Sequence, residues 1–490
     1  MSNPYNAEAR LYIDGELCDA ASGRVYDNIS PTTNQVIGVA ADAGLADAER
    51  AVAAARRAFD ESDWSTNIAL RKKCLVQLRD GLKQVAGDLR QQVMAEVGAP
   101  IGIVENGPQC DGPIGFIDYF IDLLDNYEWK QDLPVHAGFG VPSKREIWKE
   151  AAGVVAAISP WNFPVQINLA KIVPALAAGC TVVLKSAPDT PWTATVLGRV
   201  AKEFTDMPAG VLNVLTSENP AEIGEFLCTD PRIDVVSFTG STQVGRRIME
   251  LSSQTIKKVF LELGGKSAHI VLDDADFNSA LLTSFAVCFH AGQGCAIPTR
   301  FLLPASRYDE GLEIIKNYFS CIAYGNPDDK GQLMGPLISR KQQQRVMAYI
   351  QQGIDEGARL VMGGKIPDHL PDGNYVEPTV FADVTNDMTI AQEEIFGPVL
   401  CVIKYQDDDD AVRIANDSIF GLSGSIYSAS LDRALAIAHR IRTGTLNING
   451  ANFFAADAPF GGYKQSGIGR EMGVLGFEEY LETKTVAIPA

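Results

Sequence analysis

At 490 residues, 46% hydrophobic and 21% charged, the chain is too long for one ordinary core and reads as about two to four globular domains of ~100–200 residues each. The formal net charge of −19 argues against nucleic acid and anionic membrane surfaces as partners, because both need a basic footprint. Nine scattered cysteines, odd in number and without a C-x-x-C pair, read as reduced cytosolic usage rather than a disulfide framework.

The opening Met1-Ser2-Asn3-Pro4-Tyr5-Asn6-Ala7-Glu8 has neither a basic n-region nor an apolar h-region, and no apolar run reaches the ~18 residues of a membrane span. A cytoplasmic protein is expected. Next, Leu11-Tyr12-Ile13-Asp14-Gly15-Glu16-Leu17 sets two short extended runs about an Asp-Gly turn, a hairpin signal. From Ala46 to about Leu89 the chain is rich in Ala, Arg and Leu and lacks proline, which predicts helices. Asp132 to Glu150 holds two prolines and two glycines amid alternating residues, as a protruding hairpin would.

Between Ala151 and Gly265, short apolar runs at 154–158, 182–184, 211–215 and 235–238 alternate with helical stretches. That alternation predicts a parallel sheet covered on both faces, with ligands at the carboxyl ends of its strands. Chemistry is therefore expected at Ser159 to Pro164, at Lys185 and at Thr239-Gly240-Ser241. A second alternation from about Gly265 to Gly462, with helices over 341–352 and 431–441, predicts a second α/β domain. The alternating tail Thr483 to Ile488 predicts a strand that needs a partner edge, here expected on another subunit.

Two local features carry chemistry. Phe238 to Gly245 reads as strand, small-residue turn and helix, with Val244, Ile248 and Leu251 on one face, and the free N–H groups at the helix start favour a phosphate. Its G-x-x-x-x-G spacing is neither the usual dinucleotide fingerprint nor a P-loop, so a turn without ligand stays open, as does a solvated Lys185. Cys295, in Gly292-Gln293-Gly294-Cys295, follows Glu262 of Leu261-Glu262-Leu263-Gly264-Gly265-Lys266 and pairs a thiol nucleophile with a carboxylate base, against the bland reading of a buried core cysteine. The five histidines (136, 269, 290, 369 and 439) fall at no metal-ligand spacing, and no metal is expected.

Taken in chain order, Pro160-Trp161-Asn162-Phe163-Pro164, Lys185, Phe238 to Thr242, Leu261 to Lys266, Gly292 to Cys295, Glu393-Glu394-Ile395-Phe396-Gly397-Pro398 and Pro459 to Gly467 resemble the aldehyde dehydrogenase superfamily along nearly the whole chain. The resemblance implies two doubly wound parallel-sheet α/β domains and a small β arm. The NAD(P)-binding domain would cover 1–131 and 152–262, the catalytic domain 263–465, and the oligomerisation arm 132–151 and 478–490 of a homodimer or homotetramer. It implies oxidation of an aldehyde to a carboxylic acid through a thiohemiacetal and thioester on Cys295. Asn162 would hold the oxyanion with the Cys295 N–H, Glu262 would activate water, and Lys171 and Glu471 would form a charged pair near the water path.

By the same resemblance Ser159, Trp161, Lys185, Pro188, Gly224, Phe238, Gly240, Ser241, Val244, Gly245, Leu263, Gln342, Glu394 and Phe396 surround the cofactor. NAD is expected, with NADP as the alternative, because Pro188 stands where many NAD-preferring members carry a ribose-binding glutamate, although Asp189 is adjacent. Phe163, Ile167, Ala170, Gly294, Ala296, Ile297, Phe454 and Phe460 match the aldehyde tunnel. They are apolar or small and include no cation, which implies a neutral, hydrophobic aldehyde, medium-chain aliphatic, aromatic or terpenoid. Ala170 and Gly294 are smaller than their counterparts and imply a widened pocket. His290 reads as structural rather than as a Cys-His partner. A silent structural relative and a mainly acyl-transferring or esterase enzyme remain the alternatives.

Overall fold

The computed structural model describes residues 5–490; Met1 to Pro4, on which part of the leader reading falls, lie outside the described residues. Among the described residues the strands form four sheets. The first has eight strands, in the order Gly467–Ile468, Lys258–Glu262, Val235–Thr239, Val154–Ile158, Thr181–Lys185, Leu212–Leu215, Leu11–Ile13 and Glu16–Cys18. Its five inner strands are parallel, and the terminal hairpin and the late strand add antiparallel edges. Val154–Ile158, Thr181–Lys185 and Val235–Thr239 are buried throughout, because helices cover both faces.

From Val154–Ile158 the chain winds outward through Thr181–Lys185 and Leu212–Leu215, then returns to lay Val235–Thr239 and Lys258–Glu262 on the other side. The winding reverses between Val154–Ile158 and Val235–Thr239, and the crevice at their carboxyl ends is where an α/β sheet binds ligand. Gly240 follows the second of those strands directly, and Asn162 lies in the short loop after the first. Between them, helix Pro164–Ala178 starts on proline at its first turn, ends on Gly179 at φ 98°, and is buried at every residue but Gln166.

The second sheet has seven strands, Arg359–Met362, Thr379–Val384, Val399–Tyr405, Arg300–Pro304, Ala268–Val271, Gly424–Tyr427 and Asn447–Ile448, all parallel except the first. The fold is thus the expected pair of parallel-sheet α/β units.

The arm is a three-stranded antiparallel sheet with Ser143–Ala151 at its centre, between Lys130–His136 and Leu481–Pro489. Here one expectation is corrected. The terminal strand finds its partner within the chain, pairing from Leu481 with Ala151 to Pro489 with Ser143. Helix Gly473–Glu478 sets this up by packing on Pro164–Ala178 and feeding Tyr480 and Leu481 to the base of Ser143–Ala151. Among the described residues no helix is long and apolar enough to cross a membrane, and no group of three or more His, Cys, Asp or Glu could hold a metal.

Candidate active site

Cys295 follows a kinked segment in which His290, Ala291 and Gly292 have φ of 50°, 53° and 74°. Glycine is required at 292, since a Cβ there would come 2.1 Å from the Gly397 carbonyl oxygen. Gln293 then pins the loop: its Oε1 accepts from the Ile338 N–H at 2.9 Å, and its Nε2 donates to the His290 carbonyl at 3.2 Å. The Gln293 carbonyl in turn accepts from Asn162 Nδ2 at 2.9 Å. One amide N–H of Asn162 is fixed in this way, leaving the second for an oxygen beside Cys295. From behind, Gln109 Nε2 donates to the Asn162 carbonyl at 2.8 Å.

Glu262 ends the strand Lys258–Glu262, is 1% exposed, and lines two cavities that meet at Cys295. Burial and then the charge of Glu471 push its carboxyl well above the usual range, with Lys171 opposing. Burial also pushes the Cys295 thiol well up, reinforced by Glu262, Glu394 and Glu471. The resting thiol is therefore protonated, and attack on a carbonyl needs a base at hand. Behind Glu262, Lys171 Nζ donates to Glu471 Oε1 at 2.8 Å, both side chains being enclosed.

The first cavity, with about 650 Å³ of empty space, lies at the topological switch. Trp161, Gly240, Ser241, Leu263, Gln342, Glu394 and Phe396 line it beside Asn162, Glu262 and Cys295. Ser241 caps helix Thr242–Ser252, its Oγ accepting from the Val244 N–H at 3.3 Å. Glu394 Oε1 accepts from the Gly265 N–H at 3.0 Å while its other oxygen lies over Gly264, where a Cβ would come within 2.4 Å. Burial pushes the Glu394 carboxyl up to about 7. Gln342 Nε2 holds the Phe396 carbonyl at 2.8 Å, and the Phe396 ring stands edge-on to Trp161 at 5.4 Å.

Seven residues expected at the cofactor do not line this cavity. Phe238 is buried beneath Gly240, whose Cβ would come 2.4 Å from its ring, and Gly245 gives way to the Leu263 side chain. Ser159 and Lys185 are buried at the ends of their strands, and Pro188 follows in the same loop. Gly224, in helix Pro220–Thr229, has open space before it. Val244 is 46% exposed while Ile248 and Leu251 are buried, so the apolar face begins one turn later than its sequence pattern suggests. Pro160 and Thr239, flagged in the sequence only as strand-end residues, line the cavity too, as do Gly264, quoted only within its motif, and Arg345, which the sequence reading missed. Gly264 had the clearest signal, as half of a Gly-Gly pair directly after the strand.

The second cavity opens on the other side of Cys295, with about 1180 Å³ of empty space including its mouth. All eight residues expected in the aldehyde tunnel, Phe163, Ile167, Ala170, Gly294, Ala296, Ile297, Phe454 and Phe460, line it. Phe289, Phe453 and Met472 were missed; Phe453 stacks on Phe460 at 6.1 Å, so two neighbouring phenylalanines share one wall. The expected widening at Gly294 is corrected, because Ile297 fills that space and would meet a Cβ at 2.7 Å. His290 lines neither cavity. It is buried with its ring edge-on to Phe163 at 5.3 Å, and burial pushes it down to about 4, which keeps it neutral.

A family model described as the aldehyde dehydrogenase family matches residues 18–486. The chain belongs to this family. Among solved members, it is 42% identical to an aldehyde dehydrogenase of Mycobacterium tuberculosis complexed with NAD+, at a TM-score of 0.94 over 98% of each chain. It is 37% identical to aldehyde dehydrogenase C of Pseudomonas syringae, a cysteine mutant with NAD+ and octanal, at a TM-score of 0.94 over all of both chains. It is 34% identical to betaine aldehyde dehydrogenase of Staphylococcus aureus with NAD+, at a TM-score of 0.95 over 99% of this chain and 96% of that one.

Proposed function

We propose that this aldehyde dehydrogenase uses NAD+ to oxidise a neutral, hydrophobic aldehyde to its carboxylic acid, with Cys295 as nucleophile. Phenylalanines 163, 289, 453, 454 and 460 with Ile167 and Met472 wall the aldehyde cavity, and the charged residues lining it are Glu262 and Glu471. This lining carries the reading. An aldehyde bearing a second carboxylate would meet two acids and no cation there, and an aliphatic tail gains about 0.8 kcal/mol per buried CH₂. Phenylalanine is also the weaker choice for a quaternary ammonium, which is held best by tryptophan. The octanal complex of the Pseudomonas relative supports the same substrate class.

On this reading Cys295 gives its proton to solvent, which leaves Glu262 ionised for the later step, and the thiolate adds to the aldehyde carbon to give a thiohemiacetal. The free Asn162 N–H and the Cys295 N–H hold the oxyanion, a contribution of about 2.7–4 kcal/mol per donor. NAD+, when bound, accepts the hydride that converts the thiohemiacetal to a thioester. The residues of the first cavity fit that role: Gly264 leaves Glu394 its place, Gly240 and Ser241 at a helix start would take the pyrophosphate, and Phe396 and Gln342 would hold the nicotinamide half. Lys185 and Pro188 are assigned to the adenine ribose, Ser159, Gly224, Phe238, Val244 and Gly245 to its framework. Glu262 then deprotonates water, which releases the acid and frees the thiolate. The assembly is a homodimer or homotetramer.

The test is kcat/KM with NAD+ across octanal, benzaldehyde, succinic semialdehyde and betaine aldehyde, with Cys295→Ala as control. Octanal or benzaldehyde should lead by at least about tenfold, and Cys295→Ala should abolish turnover. Preference for either charged aldehyde would overturn the substrate class. Pro188→Glu should raise the NAD+ to NADP+ ratio of kcat/KM, and an unchanged ratio would remove Pro188 from the ribose site.

A further inference from the structure

The Lys171–Glu471 pair is one end of a longer chain of buried hydrogen bonds. Besides Glu471, Lys171 Nζ donates to Ser237 Oγ at 3.1 Å, with the Phe260 ring 5.2 Å away. Ser237 Oγ lies 3.1 Å from the Tyr480 hydroxyl, and Thr239 Oγ1 donates to Glu471 Oε1 at 3.4 Å. Ser237 is fully buried and Tyr480 is 1% exposed. The stem of Tyr480 is fixed, since its carbonyl accepts from the Ala152 N–H at 3.0 Å and from Cys180 Sγ at 3.2 Å.

Neither hydroxyl is required by packing. Ser237 sits in a strand otherwise built of Val235, Val236, Phe238 and Thr239, and alanine and phenylalanine would fill the two positions without burying a polar group. Their shared contact is with each other and, through Ser237, with Lys171. An ammonium has three N–H donors, and here two are aimed by Glu471 and Ser237 while the charge lies over Phe260. Glu471 and Glu262 line the same cavity, so the placement of Lys171 decides how well two neighbouring carboxylates tolerate each other's charge.

We propose that Ser237 and Tyr480 are positioning residues for deacylation, which hold the Lys171 ammonium on Glu471 so that Glu262 returns to its ionised form after each acyl release. The proposal rests on Glu262 being the base for water. In that step water gives one proton to Glu262 as its oxygen bonds to the acyl carbon, and the carbon–sulfur bond breaks with the electron pair on Cys295. Glu262 must then lose the proton to water, which it does more readily the better Lys171 neutralises Glu471 nearby. The groups acting on Glu262 are Glu471, Lys171, Glu394 and Cys295, and those acting on Tyr480 are Ser237, Glu471, Cys180 and Glu479. A loosened Lys171 leaves the carboxylate pair less compensated, and Glu262 then ionises only at higher pH.

The experiment follows the acyl-enzyme by intact mass after rapid mixing with octanal and NAD+, from about pH 6 to pH 9, in wild type, Ser237→Ala, Tyr480→Phe, the double variant and Glu262→Gln. Each single variant should acylate at the wild-type rate and deacylate about threefold to tenfold more slowly, the rate equivalent of one net hydrogen bond. The acid limb of deacylation should move to higher pH. The double variant should be no slower than the worse single, because one chain is broken in either place. Unchanged deacylation in the singles, or additive losses in which acylation and melting temperature fall in parallel, would overturn the proposal, while a slow Glu262→Gln keeps the base reading intact. Normal deacylation in Glu262→Gln would remove the base reading and the proposal with it.

Discussion

A carboxylate that is 1% exposed and close to a second carboxylate is expensive to ionise, a cost that the base role proposed for Glu262 requires it to bear. Its folded pKa lies above the unfolded one, so the folded state loses stability as pH rises from the unfolded value through the raised folded value. Glu262→Gln removes the ionisation. The variant should therefore melt above wild type at about pH 8 and together with it at about pH 5, as scanning calorimetry would record. Its catalysis should move the opposite way, with a burst of NADH and then slow turnover as thioester accumulates. Equal melting at both pH values, or a normal steady state, would show that Glu262 does not carry a raised, catalytically used pKa.

At the level of the element, the site is built where strands end, and that explains what could be read from sequence. Asn162, Gly240 and Glu262 each sit at or soon after a parallel strand, and for Asn162 and Gly240 a short apolar run followed by small or polar residues pointed to the crevice, whereas the strand that ends on Glu262 was not singled out. Cys295 and Glu394 lie in loops of the second α/β unit; Cys295 offered itself as a thiol set against a carboxylate or as a buried core cysteine, and the family motifs decided its role as they did that of Glu394. Ser237, Tyr480, Phe453 and Met472 were not legible, because their meaning lies in contacts across the fold. Tyr480 meets Ser237 from 243 residues away, and a lone tyrosine before a terminal strand has no periodic signal. The partner of that strand was misjudged for the same reason: alternation predicts an edge but not whose edge it meets.

Two glycines separate positioning from folding at this scale. At Gly264 an added methyl would strike the end of the Glu394 side chain, which can swing aside, whereas at Gly292 it would strike the Gly397 backbone at φ 74°. Gly264→Ala should keep its melting temperature but raise the Kd for NAD+ in fluorescence titration, by roughly tenfold for about 1.4 kcal/mol of lost contact. Gly292→Ala should lower the melting temperature and activity together, as strained loop substitutions do. The converse pattern would mean that the two motifs have been assigned the wrong structural jobs.

On the scale of the whole molecule, the arm is difficult to account for in a single chain. Lys130–His136 and Leu481–Pro489 flank one central strand, nearly every residue of both outer strands is exposed, and each leaves an open edge. A three-stranded ribbon without a core of its own needs an apolar face to lean on. At its tip Val135 is 60% exposed, Val141 is 62% exposed, and Phe139 stands fully in solvent at φ 54°. Apolar groups held out in this way are expected to be covered by a second copy. Burying one such side chain is worth about 1.5–3 kcal/mol, and two-fold symmetry counts it twice, so Phe139→Asp should weaken assembly by at least about a hundredfold. Sedimentation equilibrium over a dilution series should find wild type as a dimer or tetramer and the variant dissociating at higher concentration. NAD+ binding per subunit should be unchanged, since Phe139 lies outside both cavities. A wild type that sediments as a monomer would remove the arm from assembly, and an oligomer indifferent to Phe139→Asp would move the interface away from the tip.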